Sequence, residues 1–261
     1  MAIPKQERQD IRLLKRKQTR WDRRQITVEG EKAILELLKS SWITERIYFT
    51  AGLELSDSLS QSLHAANGLV EVSAKDMELM TSLKTAPGLL ALASMPDKAG
   101  RAEHEAGVWL YLDHMNDPGN VGTLIRVADW FGMAGVVLST ESADPFGPKA
   151  IQSSMGSAFH TPIRIQNFKD LPSRWTTVVM GLDAGGQNLF ELTASDAPCL
   201  LVVGSESHGV SADVHKACHV MASRAICLRV MPYFCVSYRV TNIPCHAVSI
   251  FLILTPTKML G

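Results

Sequence analysis

The sequence predicts an α/β fold built in two successive parts, and three observations predict it. Strand-like and helix-like segments alternate from Gln25 onward, the pattern of layered α/β domains. The alternation is broken once, by PDKAGRAEHEAG, a Pro-, Gly- and charge-rich stretch with linker composition. Beyond it, the apolar runs VWLYLD and CLLVVG each lead straight into a turn, the place where open α/β sheets hold ligands.

The elements follow in order. ITVEGEKAILELLKS reads as a short strand, a Gly turn and a helix whose Ala33, Ile34, Leu37 and Leu38 repeat at helical spacing. RIYFT is a strand, SDSLSQSLHAA a helix, GLVEVS a strand, AKDMELMTSL a helix and GLLALASM a closing strand that ends near Met95. After the linker come the strand VWLYLD, the turn NDPGN and a helix predicted to begin at Val121, with Asn120 as its N-cap. Val121, Leu124, Ile125, Ala128 and Phe131 form one apolar stripe on that helix, and Arg126 lies on its shoulder. The strand GVVLS, the loop TESADPFGPKA, a helix around AIQSSMG and the strands TPIRIQ, TTVVMGLD and CLLVVG complete the pattern. The expected boundaries are a basic arm over 1–24, a small α/β domain over 25–96, a linker over 97–107 and a second α/β domain over 108–261.

Composition narrows the function classes. An apolar content of 46% with 20% charged residues is ordinary for a globular chain. No run reaches the roughly 18 apolar residues of a membrane helix, and AVSIFLIL is too short. The basic N-terminus has no apolar core behind it, so no signal peptide is expected and the expected address is the cytoplasm. Cys199, Cys218, Cys227, Cys235 and Cys245 are odd in number and lack CxxC spacing, which predicts buried thiols, with no zinc site and no disulfide framework.

The 26 basic and 26 acidic residues cancel, yet residues 1–24 hold nine Lys/Arg against Glu7, Asp10 and Asp22. Such an arm fits a segment that neutralises phosphates; a solvated leader helix fits the same charges.

Two constellations carry candidate chemistry. In LDHMNDPGNVGTLIRVADWFG, Asn120 and Arg126 follow a strand end, where a planar guanidinium can clamp a phosphate; an N-cap plus a surface arginine is the plainer reading. In LLVVGSESHG, Gly204 and Gly209 allow close backbone approach, and Glu206 puts a carboxylate in the turn. Gly-Lys-Ser/Thr and GxGxxG are both absent, which removes the phosphate cradles of kinase and dehydrogenase readings. His114, His160 and His208 lack a second ligand at useful spacing and read as ordinary loop histidines, and Trp130 reads as packing.

Together these residues resemble the SpoU (TrmH-like) family of RNA ribose 2'-O-methyltransferases. LDHMNDPGNVGTLIRVADWFGMAGVVLS is similar to that family's first motif, LLVVGSESHGVS to its second, DPFGPKAIQSSMGSAFHTPI to the segment between them, and ITVEGEKAILELLKSS to a small upstream substrate-binding domain. The resemblance implies a parallel sheet with a C-terminal trefoil knot, S-adenosylmethionine as cofactor, rRNA or tRNA as partner and a homodimer without metal. It assigns Asn120, Arg126 and Glu206 to the catalytic motifs, and Leu182, Gly204 and Gly209 to the cofactor pocket.

The third motif has no clean copy. RAICLRVMPYFCVSYRVTNIPCHAVSI admits one register with Asn242 as the motif asparagine and another with Arg239 there. AICL reads as the strand before the knot, which makes Ile226 and Leu228 cofactor contacts. Two functions follow: a ribose methyltransferase, rRNA ahead of tRNA because a substrate domain is attached, or an inactive RNA-binding homologue that has lost its cofactor pocket. Residues 226–250 separate them.

Overall fold

A computed structural model describes residues 3–64, 68–97, 107–171, 178–183, 186, 199–205 and 207–223. By packing, the chain divides into two compact units that interleave in sequence. Unit 1 comprises Met1–Ala99, Asp117–Arg126 and Asp144–His160; unit 2 comprises Gly100–Asn116, Val127–Ala143 and Thr161–Gly261.

Unit 1 is built on a four-stranded mixed sheet in the order β1-β4-β2-β3, from β1 (Gln25–Glu29), β2 (Ile43–Thr50), β3 (Leu69–Val72) and β4 (Leu89–Ser94). β4 runs antiparallel to both β1 and β2, and β2 runs parallel to β3. The connecting helices are α3 (Glu31–Lys39), α4 (Asp57–His64) and α5 (Ala74–Met80). Gly30 turns the chain from β1 into α3 at φ +90°, a conformation that glycine adopts without steric cost. Ile34 and Leu37 of α3 are fully buried, as the spacing predicts. Ser73 caps α5, its hydroxyl accepting the Asp76 N–H at 3.1 Å.

The basic N-terminal segment is helical in this unit, as α1 (Lys5–Leu13) and α2 (Lys17–Arg23). Ile11 and Leu14 anchor it in the core. Part of its charge is consumed internally, since Arg8 pairs with Asp76 and Arg23 with Asp10 at 2.9 Å. Arg12, Lys15, Arg16 and Lys17 remain exposed. Arg20 is buried: its guanidinium donates to Asp144 at 2.5 and 3.1 Å and to the Leu14 and Lys15 carbonyls at 2.7 and 2.8 Å.

The same unit takes in the start of α6 (Pro118–Trp130), α7 (Pro148–Ser154) and the 3-10 turn Ser157–Phe159. The approach of α6 to α7 is close enough that a Cβ on Gly122 would lie 2.2 Å from the Ala150 carbonyl oxygen. Trp42 stacks edge-on to Phe159 at 5.2 Å and tilted to Phe146 at 5.6 Å, which fixes the DPFGP segment from the other side.

Unit 2 holds an all-parallel six-stranded sheet in the order β10-β8-β9-β5-β6-β7. Its strands are β5 (Val108–Asp113), β6 (Gly135–Leu138), β7 (Ile163–Ile165), β8 (Val179–Asp183), β9 (Cys199–Gly204) and β10 (Val220–Ser223). Trp109, Tyr111, Val137, Val179, Leu200 and Val202 make its core, with Val214 of α8 (Ala212–Ala217) packed on it. Helix α8 and strand β10 were not among the expected elements. AICL, and the C-terminal stretch on which a knot would depend, lie outside the described residues.

Candidate active site

Chain order and sheet order disagree most sharply at β5. From it the chain proceeds outward to β6 and β7, while β9 returns to occupy its other side. The loops that leave the carboxyl ends of β5 and β9 therefore diverge from a switch point, where parallel sheets form ligand crevices.

After β9 the chain folds back on itself. Ser205 and Gly209 form an isolated bridge, with the Gly209 N–H donating to the Ser205 carbonyl at 2.9 Å and the His208 N–H to the Ser205 hydroxyl at 3.2 Å. A Cβ on Gly204 would lie 2.0 Å from the backbone of Gly209, so no side chain fits there. Gly209 turns at φ +67° with open space on its Cβ side. The two predicted glycines thus act as a pair: one receives the returning loop and the other faces outward. Leu182, on β8 beside Val203, is buried.

The β5 loop is fastened to this turn by Asp113, which is 1% exposed. Its Oδ2 accepts the Ser211 N–H at 2.6 Å, and its Oδ1 lies 2.8 Å from Nδ1 of His114. Two buried serines from beyond β6 hold the same loop. Ser139 Oγ accepts the His114 N–H and Ser142 Oγ the Met115 N–H, each at 3.0 Å. Burial raises the Tyr111 phenol above its ordinary range, and the nearby Asp113 carboxylate adds to the effect. Cys218, a free thiol, is raised the same way.

Asn120 and Arg126 lie on the α6 residues of unit 1, and both are half-buried. The helix starts three residues earlier than expected. Pro118 is its first residue, and Asp117 caps it by accepting the Gly119 N–H at 2.9 Å. Asn120 is therefore inside the first turn and is not the N-cap. Lys149 pairs with Asp117 at 2.5 Å and, with the Gly119 N–H, holds that carboxyl below the usual carboxylate range. Asn120 and Arg126 are six residues apart, about 9 Å along the axis and on different faces. Glu206, Ile226, Leu228, Asn242 and Arg239 lie outside the described residues.

The sequence reading does not foresee the contact between Asp113 and His114. The signal available was the sequence LDH at a strand end, a buried-type aspartate followed by a residue tolerant of positive φ. His160 pairs with Glu36 at 3.2 Å within unit 1. Among the described residues no group of three or more His, Cys, Asp or Glu could hold a metal ion, and no helix is long and apolar enough to cross a membrane.

An all-parallel sheet with a glycine fold-back at its switch point defines an α/β domain. Residues 107–225 match the SpoU rRNA Methylase family and residues 6–91 the MRM3-like substrate binding domain, so the chain carries a SpoU-family methylase domain preceded by a substrate-binding domain. Among its relatives is the 23S rRNA (guanosine(2553)-2'-O)-methyltransferase RlmP of Bacillus subtilis, 28% identical over 207 residues, which are 78% of this chain and 80% of RlmP. A TrmH-family protein from Porphyromonas gingivalis has the same fold at TM-score 0.71, with 26% identity and 97% of each chain covered. The SpoU methyltransferase AviRb of Streptomyces viridochromogenes, solved with AdoMet, matches at TM-score 0.74 and 21% identity over 96% of each chain, a likeness of fold.

Proposed function

We propose that this chain methylates a ribose 2'-hydroxyl of RNA, ribosomal RNA ahead of tRNA, with S-adenosylmethionine as donor. One observation carries the reading: the glycine fold-back Gly204–Gly209, tied through Ser211 to Asp113 at the switch point of an all-parallel sheet, within a matched SpoU methylase domain. The fold-back fits a nucleoside cofactor, because it brings main chain to the strand ends with open space beside Gly209 and buried Leu182 in the strand alongside. The named activity of RlmP supports the choice of a 2'-hydroxyl and of rRNA.

When bound, the cofactor supplies an electrophilic methyl group. This chain's residues then have distinct tasks. Gly204, Gly209, Leu182, Ile226, Leu228 and Asn242 line the cofactor pocket. Arg126 holds the ribose oxygen and its neighbouring phosphate in line, stabilising the alkoxide as it develops. Asn120 and Glu206 order the chain around it. Residues 25–96 hold RNA, with the exposed Arg12, Lys15, Arg16 and Lys17 of the basic arm on its phosphates, and 108–261 carry the transfer. The reading includes a C-terminal trefoil knot and a homodimer, on the strength of the family resemblance, and a cytoplasmic site of action is proposed with it.

Titration calorimetry with S-adenosylmethionine and its demethylated product tests it first. Micromolar binding to both is expected, and Arg126→Ala should keep that binding while abolishing methyl transfer to RNA. A folded protein that binds neither ligand overturns the proposal and leaves an RNA-binding homologue. Near-normal turnover in Arg126→Ala removes that residue's role.

A further inference from the structure

Phosphate contacts position an RNA but carry no sequence, so the basic arm leaves open how one base is told from another. We propose that a cavity between α1 and the sheet of unit 1 takes one unstacked guanine of the RNA. This inference rests on the methyltransferase reading and adds to it a base-reading site within the substrate-binding part of the chain.

The cavity has a volume of about 460 Å³, within the range of small-molecule sites. Ile11, Leu14 and Leu92 give it an apolar lining, and all its walls belong to unit 1. The polar lining includes Glu7 and Asp10 of α1, Arg23 of α2, and Glu45 and Arg46 of β2. Neighbours on a regular strand face opposite ways, yet Glu45 and Arg46 both reach this cavity. β2 slips register against β4 between Thr44 and Arg46, and a bulge of this kind re-aims a side chain. Glu45 uses that position to hold the Gln25 amide at 2.7 Å.

The charged groups are held in place but not saturated. Glu7 and Asp10, three residues apart on one face of α1, each commit a single oxygen. Glu7 Oε1 accepts from Arg46 at 2.5 Å and from the Tyr48 hydroxyl at 2.6 Å. Asp10 Oδ1 accepts from Arg23 at 2.9 Å and from the Gln6 amide at 3.3 Å. Among the described residues nothing bonds to Glu7 Oε2 or Asp10 Oδ2. Each guanidinium gives its carboxylate one of its five N–H donors, and half of the Arg46 side chain is open to solvent.

Carboxylate acceptors beside guanidinium donors match the two edges of guanine. Its N1–H and 2-amino group are adjacent donors, an arrangement no other RNA base offers a carboxylate, and its O6 and N7 accept from a guanidinium fork. A phosphate fits less well, because three carboxylates face two guanidiniums in the lining. Phosphates are served by the exposed Arg12, Lys15 and Arg16 of the same N-terminal segment. One segment thus offers its carboxylates to a base and its free cations to the backbone, the combination that suits an unstacked nucleotide of single-stranded RNA.

Saturation-transfer NMR on the full chain tests the cavity, with guanosine, inosine, adenosine, cytidine and uridine as probes and S-adenosylmethionine present to occupy the cofactor pocket. Guanosine is expected to bind about tenfold or more tighter than each of the others. Inosine, which lacks only the 2-amino group, makes that comparison without any variant. Asp10→Asn and Arg46→Lys should each weaken guanosine about tenfold, the lysine because it keeps the charge and loses the fork. Both residues sit in partly exposed ion pairs, so both variants should melt close to wild type, which separates recognition from folding. Equal binding of all five nucleosides overturns the proposal. So does guanosine binding that either variant leaves unchanged, or that inorganic phosphate displaces. A chain that ignores guanosine yet methylates RNA loses this site alone. One that takes guanosine here but binds no S-adenosylmethionine keeps the site and sinks the transferase reading.

Discussion

Two buried aspartates are used in opposite ways. Asp144 in unit 1 and Asp113 in unit 2 each give one oxygen to a backbone N–H, of Phe146 at 3.1 Å and of Ser211 at 2.6 Å. They differ in what the other oxygen meets. Asp144 closes on the Arg20 guanidinium, whose side chain is 4% exposed and whose remaining donors reach two carbonyls. Asp113 closes on an imidazole that is half in solvent. Saturating a buried carboxylate with an equally buried cation leaves nothing to offer a ligand, and such a pair holds chain segments in register. Pairing it with an exposed, titratable ring leaves one nitrogen facing outward. That difference distinguishes the two aspartates where burial and charge do not, since both are buried carboxylates.

The largest expected effect breaks the scaffold side. Arg20→Ala strands the Asp144 carboxylate and two carbonyls, and is expected to destabilise the chain by about 3–5 kcal/mol. Replacing both partners with apolar residues, Arg20→Met with Asp144→Leu, should recover much of that, because the desolvation penalty goes with the charges. Denaturant melts of the three proteins measure it. A loss under about 1 kcal/mol in Arg20→Ala would equate this pair with a surface bridge and dissolve the contrast with Asp113.

The next effect lies at the fold-back. Gly204→Ala drives a methyl into the Gly209 backbone, and overpacking of this kind destabilises by about 1–3 kcal/mol. Because the displaced segment is the proposed cofactor loop, S-adenosylmethionine affinity should drop at least about tenfold, 1.4 kcal/mol or more. Gly209→Ala meets open space and only a positive φ, so its effect should be the smaller on stability. Equal behaviour of the two variants would mean that backbone strain, and not the close approach, sets the requirement.

Much of this was legible in the sequence where an apolar pattern was long enough to read. β5, β6 and β9 are largely buried as the apolar runs predict, as are Val121, Leu124, Ile125 and Ala128 of the α6 stripe, while Phe131 falls past the helix end and is half-buried; the strand-to-turn junctions at Asp113 and Gly204 mark the switch point. Elements with few apolar residues were harder to read than short apolar ones such as β6, and α8 and β10 were not expected at all. In α1 only Ile11 is buried among nine residues, and α8 has only Val214. The start of α6 was misread because Asn120 is as good a cap as Asp117; the deciding clue was Pro118, which belongs at a helix's first position. The interleaving of 144–160 into unit 1 comes from tertiary contacts such as Arg20 with Asp144 and Trp42 with Phe159, and Gly122 against Ala150 brings 117–126 with it, none of which a linear reading registers. The Asp113–His114 contact was hidden for another reason. Adjacent residues on a strand point to opposite faces, and only the left-handed φ at His114 reverses that rule.

The smallest effect sharpens the comparison with a third aspartate, one that is neither sealed nor paired to a ring. Asp117 caps α6 in the open, its side chain 44% exposed beside Lys149. Its folded carboxyl sits below its ordinary value of 3.8, chiefly through the Lys149 hydrogen bond. A depressed folded pKa means that the unfolded chain binds more protons as pH falls toward 4. The stabilisation is therefore complete at neutral pH and is lost below about pH 4 as the folded carboxyl titrates. Solvent screening keeps the charged part under about 1 kcal/mol. Asp117→Asn retains the cap and removes the charge, so it should be a few tenths of a kcal/mol less stable than wild type near pH 7. By pH 3 that gap should close, and 0.5 M salt should narrow it at neutral pH, about three times the ionic strength at which the Debye length is near 8 Å. Urea melts of both proteins at the two pH values decide it: a gap that ignores both pH and salt would make Asp117 a hydrogen-bond cap alone, with Lys149 a bystander.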